Sequence, residues 1–247
     1  MPFSSMRNAQ HIISQVKAEK ETDSIPTMQN SISIPKGRIV DLTHKLIPFK
    51  EQYTLELAQR DKRAGAEGDI MSLVYMWSHV GTHVEAPLHF LADGGDTASI
   101  PVERMMGPAI VLDFRHKGVN EPISREEMQA AGDIQLGDWV FTMTGRHTSY
   151  RTPASHDRPY LTEEAVRWLV EDRKISGLGV DSSGFEVRGV SHHPNHRILM
   201  HAGVPILECV NNLVALRKQR FFLIALPWPV VGLDACPVRA IAIESED

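Results

Sequence analysis

The chain has 247 residues, 42% of them hydrophobic and 23% charged, with a formal net charge of −5. That describes a soluble globular protein of one large or two small domains, and no Lys/Arg stripe exists to hold a nucleic acid. Cys209 and Cys236 form no C-x-x-C pair, which argues against a disulfide framework or a cysteine zinc site and for a reducing, cytoplasmic compartment. No apolar run of about 18 residues is present to cross a membrane, and Met1-Pro-Phe-Ser-Ser-Met6 lacks the apolar core of a secretory signal.

Residues 1–37 read as an extension: Ile12, Ile13 and Val16 make a weak amphipathic stripe within Arg7–Lys20, and a polar stretch runs on to Gly37. It suits either a helix on a neighbouring subunit or a frayed arm. Arg38–Thr43 is the first predicted strand, and Thr54–Gly68 a charged, exposed loop. Asp69–Trp77 is rich in apolar, β-branched and aromatic residues and reads as a largely buried strand.

Next comes Ser78-His-Val-Gly-Thr-His-Val-Glu-Ala-Pro-Leu-His-Phe90. It places His79, His83, Glu85 and His89 within eleven positions. Imidazole nitrogen and carboxylate oxygen are the donors a first-row divalent cation takes. Gly81 and Pro87 break regular structure, His83 and Glu85 share a face if extended, and a turn at Gly81 brings His79 to them. A lone histidine is usually a surface or satisfied core residue; four donors this close point to a metal.

Further on, Ala109–Phe114 is a strand, and Ser124 with Glu127 is a capping box opening a helix that Gly132 ends. Asp138–Met143 is a strand. Thr162 caps a second helix with Ala165, Val166, Leu169 and Val170 on one stripe. Ile175–Val180 is a strand whose glycines, Gly177 and Gly179, make no dinucleotide fingerprint because no helix follows at the right place. Asn195–Ala202 reads as helix, and Pro205–Val210, Phe221–Leu226 and Val238–Ile243 as strands, the last two joined by a long Pro-rich loop. Residues 38–247 read as one α+β domain.

A metal needs donors from more than one loop. His196, on a predicted helix, and Glu208, an acid in an otherwise apolar strand, are the best candidates; a buried carboxylate must pair, neutralise or hold a cation. His192, His193 and His201 are nearby alternatives. Tyr53, Met76, Trp77 and Phe90, and Arg146, His147 and Tyr150, are the candidate substrate contacts by position.

The pattern His79-x-x-x-His83-x-Glu85-x-x-x-His89, with Gly81-Thr82 inside it and Pro87 before the last histidine, resembles the H-x-G-T-H-x-D-x-P-x-H signature of the cyclase-like metal-dependent hydrolases. That family takes in bacterial kynurenine formamidases, isatin hydrolases and trans-dienelactone hydrolases. Asp41-Leu-Thr43, Gly137-Asp-Trp-Val140 with Thr144-Gly145, Gly179-Val-Asp-Ser-Ser183, and His196-Arg-Ile-Leu199 with Ile206-Leu-Glu208 are similar to further family segments in the same order. The resemblance implies an α+β swivelling β/β/α fold around a compact mixed sheet or barrel, as a homodimer or homotetramer. It implies His79, His83 and the acid at 85 as metal ligands and His196 and Glu208 as completing a second site or sharing the first. It also implies His89 as general acid/base. Glu85 departs from the family's Asp, so one metal is expected, with a second dependent on the longer side chain.

The expected activity is hydrolysis of a small amide, lactam or lactone with Zn²⁺ or Mn²⁺. The alternative is an inactive, metal-stabilised scaffold, whose ion would be coordinately closed and which would not need His89.

Overall fold

Apolar runs with β-branched and aromatic residues set the strands. The computed structural model describes residues 32–60 and 71–246; the stripe at Arg7–Lys20, like most of the extension, lies outside the described residues. The strands are β1 (Gly37–Asp41), β2 (Leu55–Arg60), β3 (Met71–Met76), β4 (His83–Glu85), β5 (Met106–Asp113), β6 (Pro122–Ile123) and β7 (Trp139–Met143). They continue with β8 (Tyr160–Leu161), β9 (Gly177–Val180), β10 (Ile206–Glu208), β11 (Arg220–Ile224), β12 (Ala235–Pro237) and β13 (Ile241–Ser245). The α-helices are α1 (Arg125–Ala131), α2 (Glu163–Glu171) and α3 (Pro194–His201).

Nine strands form one mixed sheet in the order β1-β13-β11-β5-β7-β9-β10-β4-β12. β5, β7, β9 and β10 run parallel, and each of their three connections carries a helix, because a parallel crossover needs a dozen residues or more. β4 lies antiparallel between β10 and β12. Alternate residues of β5 and β7 go to opposite faces. Ile110, Leu112 and Val140 pack with Met128, Leu169 and Leu199 from the helices. Ala109, Val111, Trp139 and Phe141 pack with Val84, Leu207 and Leu223 on the other side. This is an α+β fold with the helices gathered on one face of the sheet.

Gly177 and Gly179 have a packing reason. They stand opposite Trp139 and Phe141 on β7, and an added Cβ would meet those rings at 2.4 and 2.2 Å. Gly179→Ala is expected to destabilise the protein by roughly 1–3 kcal/mol through overpacking, read as a lower denaturant midpoint. An unchanged midpoint would contradict this packing.

The helix starts form as expected. Ser124 Oγ accepts from the Glu127 N–H and Glu127 Oε2 from the Ser124 N–H, while Thr162 Oγ1 accepts from the Ala165 N–H. Two expectations need correction. Part of the expected loop at Thr54–Gly68 is strand β2, which pairs with β3 as a separate two-stranded ribbon. The segment read as a largely buried strand is exposed, with Tyr75 at 66% and Trp77 at 61%. The apolar run is real, but β3 has β2 as its ladder partner, and among the described residues no packed layer covers its faces. The Pro-rich loop also contains β12, whose pairing to β4 proves central to the site.

Candidate metal centre

The site is built across the β4–β10 pair. His83 and Glu85, two apart on β4, point to one face, and Glu208 stands directly opposite His83. Val84 and Leu207, between them, point into the apolar core behind. The chain turns before β4 at Gly81, whose φ of +69° suits glycine and whose Cβ would strike Leu46 at 2.3 Å. That turn brings His79 back over β4. His89 ends a short 3-10 turn that starts at Pro87. His196 comes from α3.

The five expected donors are brought together. His79 Nδ1 lies 3.1 Å from His83 Nε2 and 3.2 Å from Glu85 Oε1. His196 Nε2 lies 3.4 Å from Glu208 Oε1 and 3.7 Å from Glu85 Oε2. Glu85 therefore belongs to two donor groups at once: with His79 and His83, and with His196 and Glu208. Despite its extra methylene, each of its oxygens faces one group. His89 Nε2 lies 3.8 Å from Glu85 Oε1, beside the first group.

Neighbouring acceptors fix which nitrogens carry protons. Gly81 O accepts from His83 Nδ1 at 2.8 Å, and Asp234 Oδ2 accepts from both His79 Nε2 and His89 Nδ1 at 3.0 Å. Glu186 Oε1 accepts from His196 Nδ1 at 3.0 Å and from the His196 backbone N–H at 2.9 Å. The remaining lone pairs, His79 Nδ1, His83 Nε2 and His196 Nε2, are aimed at one another and at two carboxylates. Lone pairs 3.1 Å apart repel unless a proton or a cation lies between them. Glu85 Oε2 is buried with no hydrogen-bond partner among the described residues. Burial opposes the charged form of His79, yet Asp234 and Glu85 overcome it and raise its pKa to about 10. Burial likewise opposes the cation at His196, and Glu186, Glu208 and Glu85 raise it to about 9. Glu85 itself is held well below the usual carboxylate range: burial raises it, and His79 and His83 outweigh that. This pocket attracts positive charge, and its nitrogen–oxygen donor set fits a divalent metal ion.

A cavity of about 640 Å³ opens over the donors. Of the expected substrate contacts, Tyr53, Trp77, Phe90 and Tyr150 line it, whereas Met76, Arg146 and His147 do not. His193 also lines it; His192 and His201 border a separate surface groove.

Tyr150 is anchored by Glu51, which accepts from its hydroxyl at 2.6 Å and from Arg151 Nη2 at 2.6 Å. Burial raises the Glu51 carboxyl, but Arg151, Tyr150 and the Ile47 N–H outweigh burial and hold it below its ordinary value. A carboxylate with a lowered folded pKa adds stability above its unfolded pKa of about 4.3 and loses it as pH falls through the folded value. Glu51→Gln is therefore expected to lower the unfolding midpoint at pH 7, with the gap from wild type closing below about pH 4. A gap independent of pH would contradict the assignment.

Sequence reasoning missed Asp234 and Glu186. Asp234 reaches the site because β12 pairs with β4, its carbonyl accepting from the Ala86 N–H at 2.9 Å. Glu186 arrives from the loop after β9. Neither lies in a local pattern that signals its role. Glu186→Ala leaves the His196 ring without its anchor and is expected to weaken metal affinity about 10–100-fold, with Glu186→Gln closer to wild type because its amide oxygen can accept the same bonds. Competition with a chromogenic chelator measures this; equal affinity in all three proteins would contradict it.

Residues 40–187 match the Cyclase family. A kynurenine formamidase of Salinibacter ruber is 31% identical over 170 residues, covering 69% of this chain and 78% of that protein. Among solved structures, isatin hydrolase A from Labrenzia aggregata is 27% identical with a TM-score of 0.73, covering 85% of this chain and 94% of its own. A protein described as a potential metal-dependent hydrolase with cyclase activity is 30% identical with a TM-score of 0.70, covering 85% and 99%. With its histidine–glutamate cluster on this sheet and more than half of its length matched, the chain belongs to the Cyclase family of metal-dependent hydrolases and is related to kynurenine formamidases and isatin hydrolases.

Proposed function

We propose that this protein hydrolyses a small amide, lactam or lactone, with His79, His83, Glu85, His196 and Glu208 holding one or two divalent ions. The observation that carries this reading is Glu85, a buried carboxylate shared by two donor groups, with the His89 imidazole beside it on the cavity side. When bound, such an ion polarises a carbonyl oxygen and lowers the pKa of water toward neutrality. His89 supplies the proton traffic. Its Nδ1–H is held by Asp234, which leaves Nε2 free to take a proton from the attacking water and give it to the leaving nitrogen or oxygen. Asp234 also accepts from Ser78 Oγ at 2.9 Å, so the carboxylate that orients His89 is itself fixed. Phe90, Tyr53 and Trp77 give the cavity apolar walls suited to a flat or aromatic substrate.

Zinc or manganese, a cytoplasmic location and a homodimer or homotetramer complete the proposal. The donor set supports the first, and two unpaired thiols, Cys209 and Cys236, support a reducing compartment. Residues 38–247 would act as one catalytic domain, with 1–37 as an arm for a neighbouring subunit. Turnover of N-formylkynurenine, isatin and a dienelactone tests the activity. Hydrolysis of at least one, abolished by chelation, is expected; no turnover, with chelation lowering only the melting temperature, would favour an inactive scaffold.

A further inference from the structure

Among the described residues, Arg158 is the only lysine or arginine lining the cavity. Several arginines away from the cavity are neutralised by an acid. Arg151 is paired with Glu51, Arg188 with Asp157 and Arg220 with Asp138. Among the described residues, no carboxylate lies within ion-pair distance of Arg158. Its Nη1 donates to the His156 carbonyl at 3.2 Å, while its Nε is buried and has no hydrogen-bond partner among the described residues. Burial lowers its pKa, and Glu208 and Glu186, beyond ion-pair range, act the other way.

The guanidinium is seated. It lies against Gly184, where a Cβ would stand 2.9 Å from Nη2, and the φ of +96° at Gly184 suits glycine. Ser182 Oγ donates to the Gly184 carbonyl at 2.7 Å and holds that turn. On the other side, the Arg158 carbonyl accepts from the Asn120 N–H at 2.8 Å, and the ring of His156 is tied at both nitrogens, to Gln52 at 3.0 Å and Ser183 at 3.1 Å. A seated, partly desolvated guanidinium on the wall of a cavity, with no acid paired to it among the described residues, is a preorganised anion receptor, because the cost of ordering the side chain is already met by the fold.

We infer that Arg158 binds a carboxylate carried by the substrate, so that the site favours amides or lactams bearing a free carboxylate over their neutral counterparts. The inference rests on the hydrolase reading above. The scissile group sits at the histidine–glutamate cluster and the carboxylate at the Arg158 wall of the same cavity. Arg158 is thus a specificity-determining residue and takes no part in the proton transfers.

The test compares N-formylkynurenine with its methyl ester, on wild type, Arg158→Lys and Arg158→Met. Wild type is expected to prefer the free acid in kcat/KM. In Arg158→Met that preference falls on the order of 10–100-fold, mostly through KM, and Arg158→Lys lies between, since an ammonium keeps the charge and loses the fork. An equal acid-to-ester ratio in all three proteins would overturn the inference. So would a uniform loss on both substrates, which marks a merely structural arginine. Calorimetric binding of kynurenine and its methyl ester to the same proteins repeats the contrast without turnover. Failure of wild type to hydrolyse N-formylkynurenine, isatin and a dienelactone alike would count against the hydrolase reading; failure of wild type and Arg158→Met to differ in acid-over-ester binding would count against Arg158.

Discussion

His89→Ala is expected to lower kcat by about 10²–10⁴-fold while metal content stays that of wild type. The reason lies in its placement. Its Nδ1 is committed to Asp234 and its Nε2 stands 3.8 Å from Glu85 Oε1, beside the donor cluster, with the ring partly open to the cavity. The two donor groups that share Glu85 do not include it, so its loss removes a proton carrier and leaves the ion's seat. A variant with wild-type turnover would remove His89 from the mechanism. One that loses metal in proportion to activity would make it a ligand instead.

Glu85→Ala is expected to do the opposite: to lose metal and bring turnover to background. Glu85 is the carboxylate common to both donor groups, so its removal leaves His79 and His83 on one side and His196 and Glu208 on the other with no shared acid. Glu85→Gln is the control, since it keeps the side chain's length and removes the charge. Both variants are expected to bind metal less than wild type, and Glu85→Gln to keep the wild-type chromatographic profile. Full metal occupancy in Glu85→Ala, measured after desalting, would contradict the shared-carboxylate arrangement.

How much of this was legible in the sequence depended on distance along the chain. His79, His83, Glu85 and His89 lie on one short strand and the turns on either side of it, so their spacing exposed them. His196 and Glu208 are far off, and only an acid in an apolar strand and the family pattern around them gave them away. Asp234 and Glu186 carry no such mark. Their roles come from the pairing of β12 to β4 and from the approach of the loop after β9 to α3, which are properties of the assembled sheet. Arg158 is similar: an arginine in a polar loop looks like any solvated side chain until the fold places it on the wall of the cavity. The error over β3 has a related cause. Apolar periodicity reports what a strand offers for burial, and whether a layer exists to cover it depends on topology. Gly177 and Gly179 were visible as unusual, but their reason, the rings of Trp139 and Phe141, sits on the neighbouring strand.

Metal stoichiometry coupled to activity tests the central claim most directly. Protein purified without chelators, treated with a chelator and then reconstituted with zinc or manganese, is predicted to start with at least one equivalent per chain, to lose turnover with its metal, and to regain it on reconstitution. Undiminished hydrolysis by protein holding well under one equivalent would contradict the account.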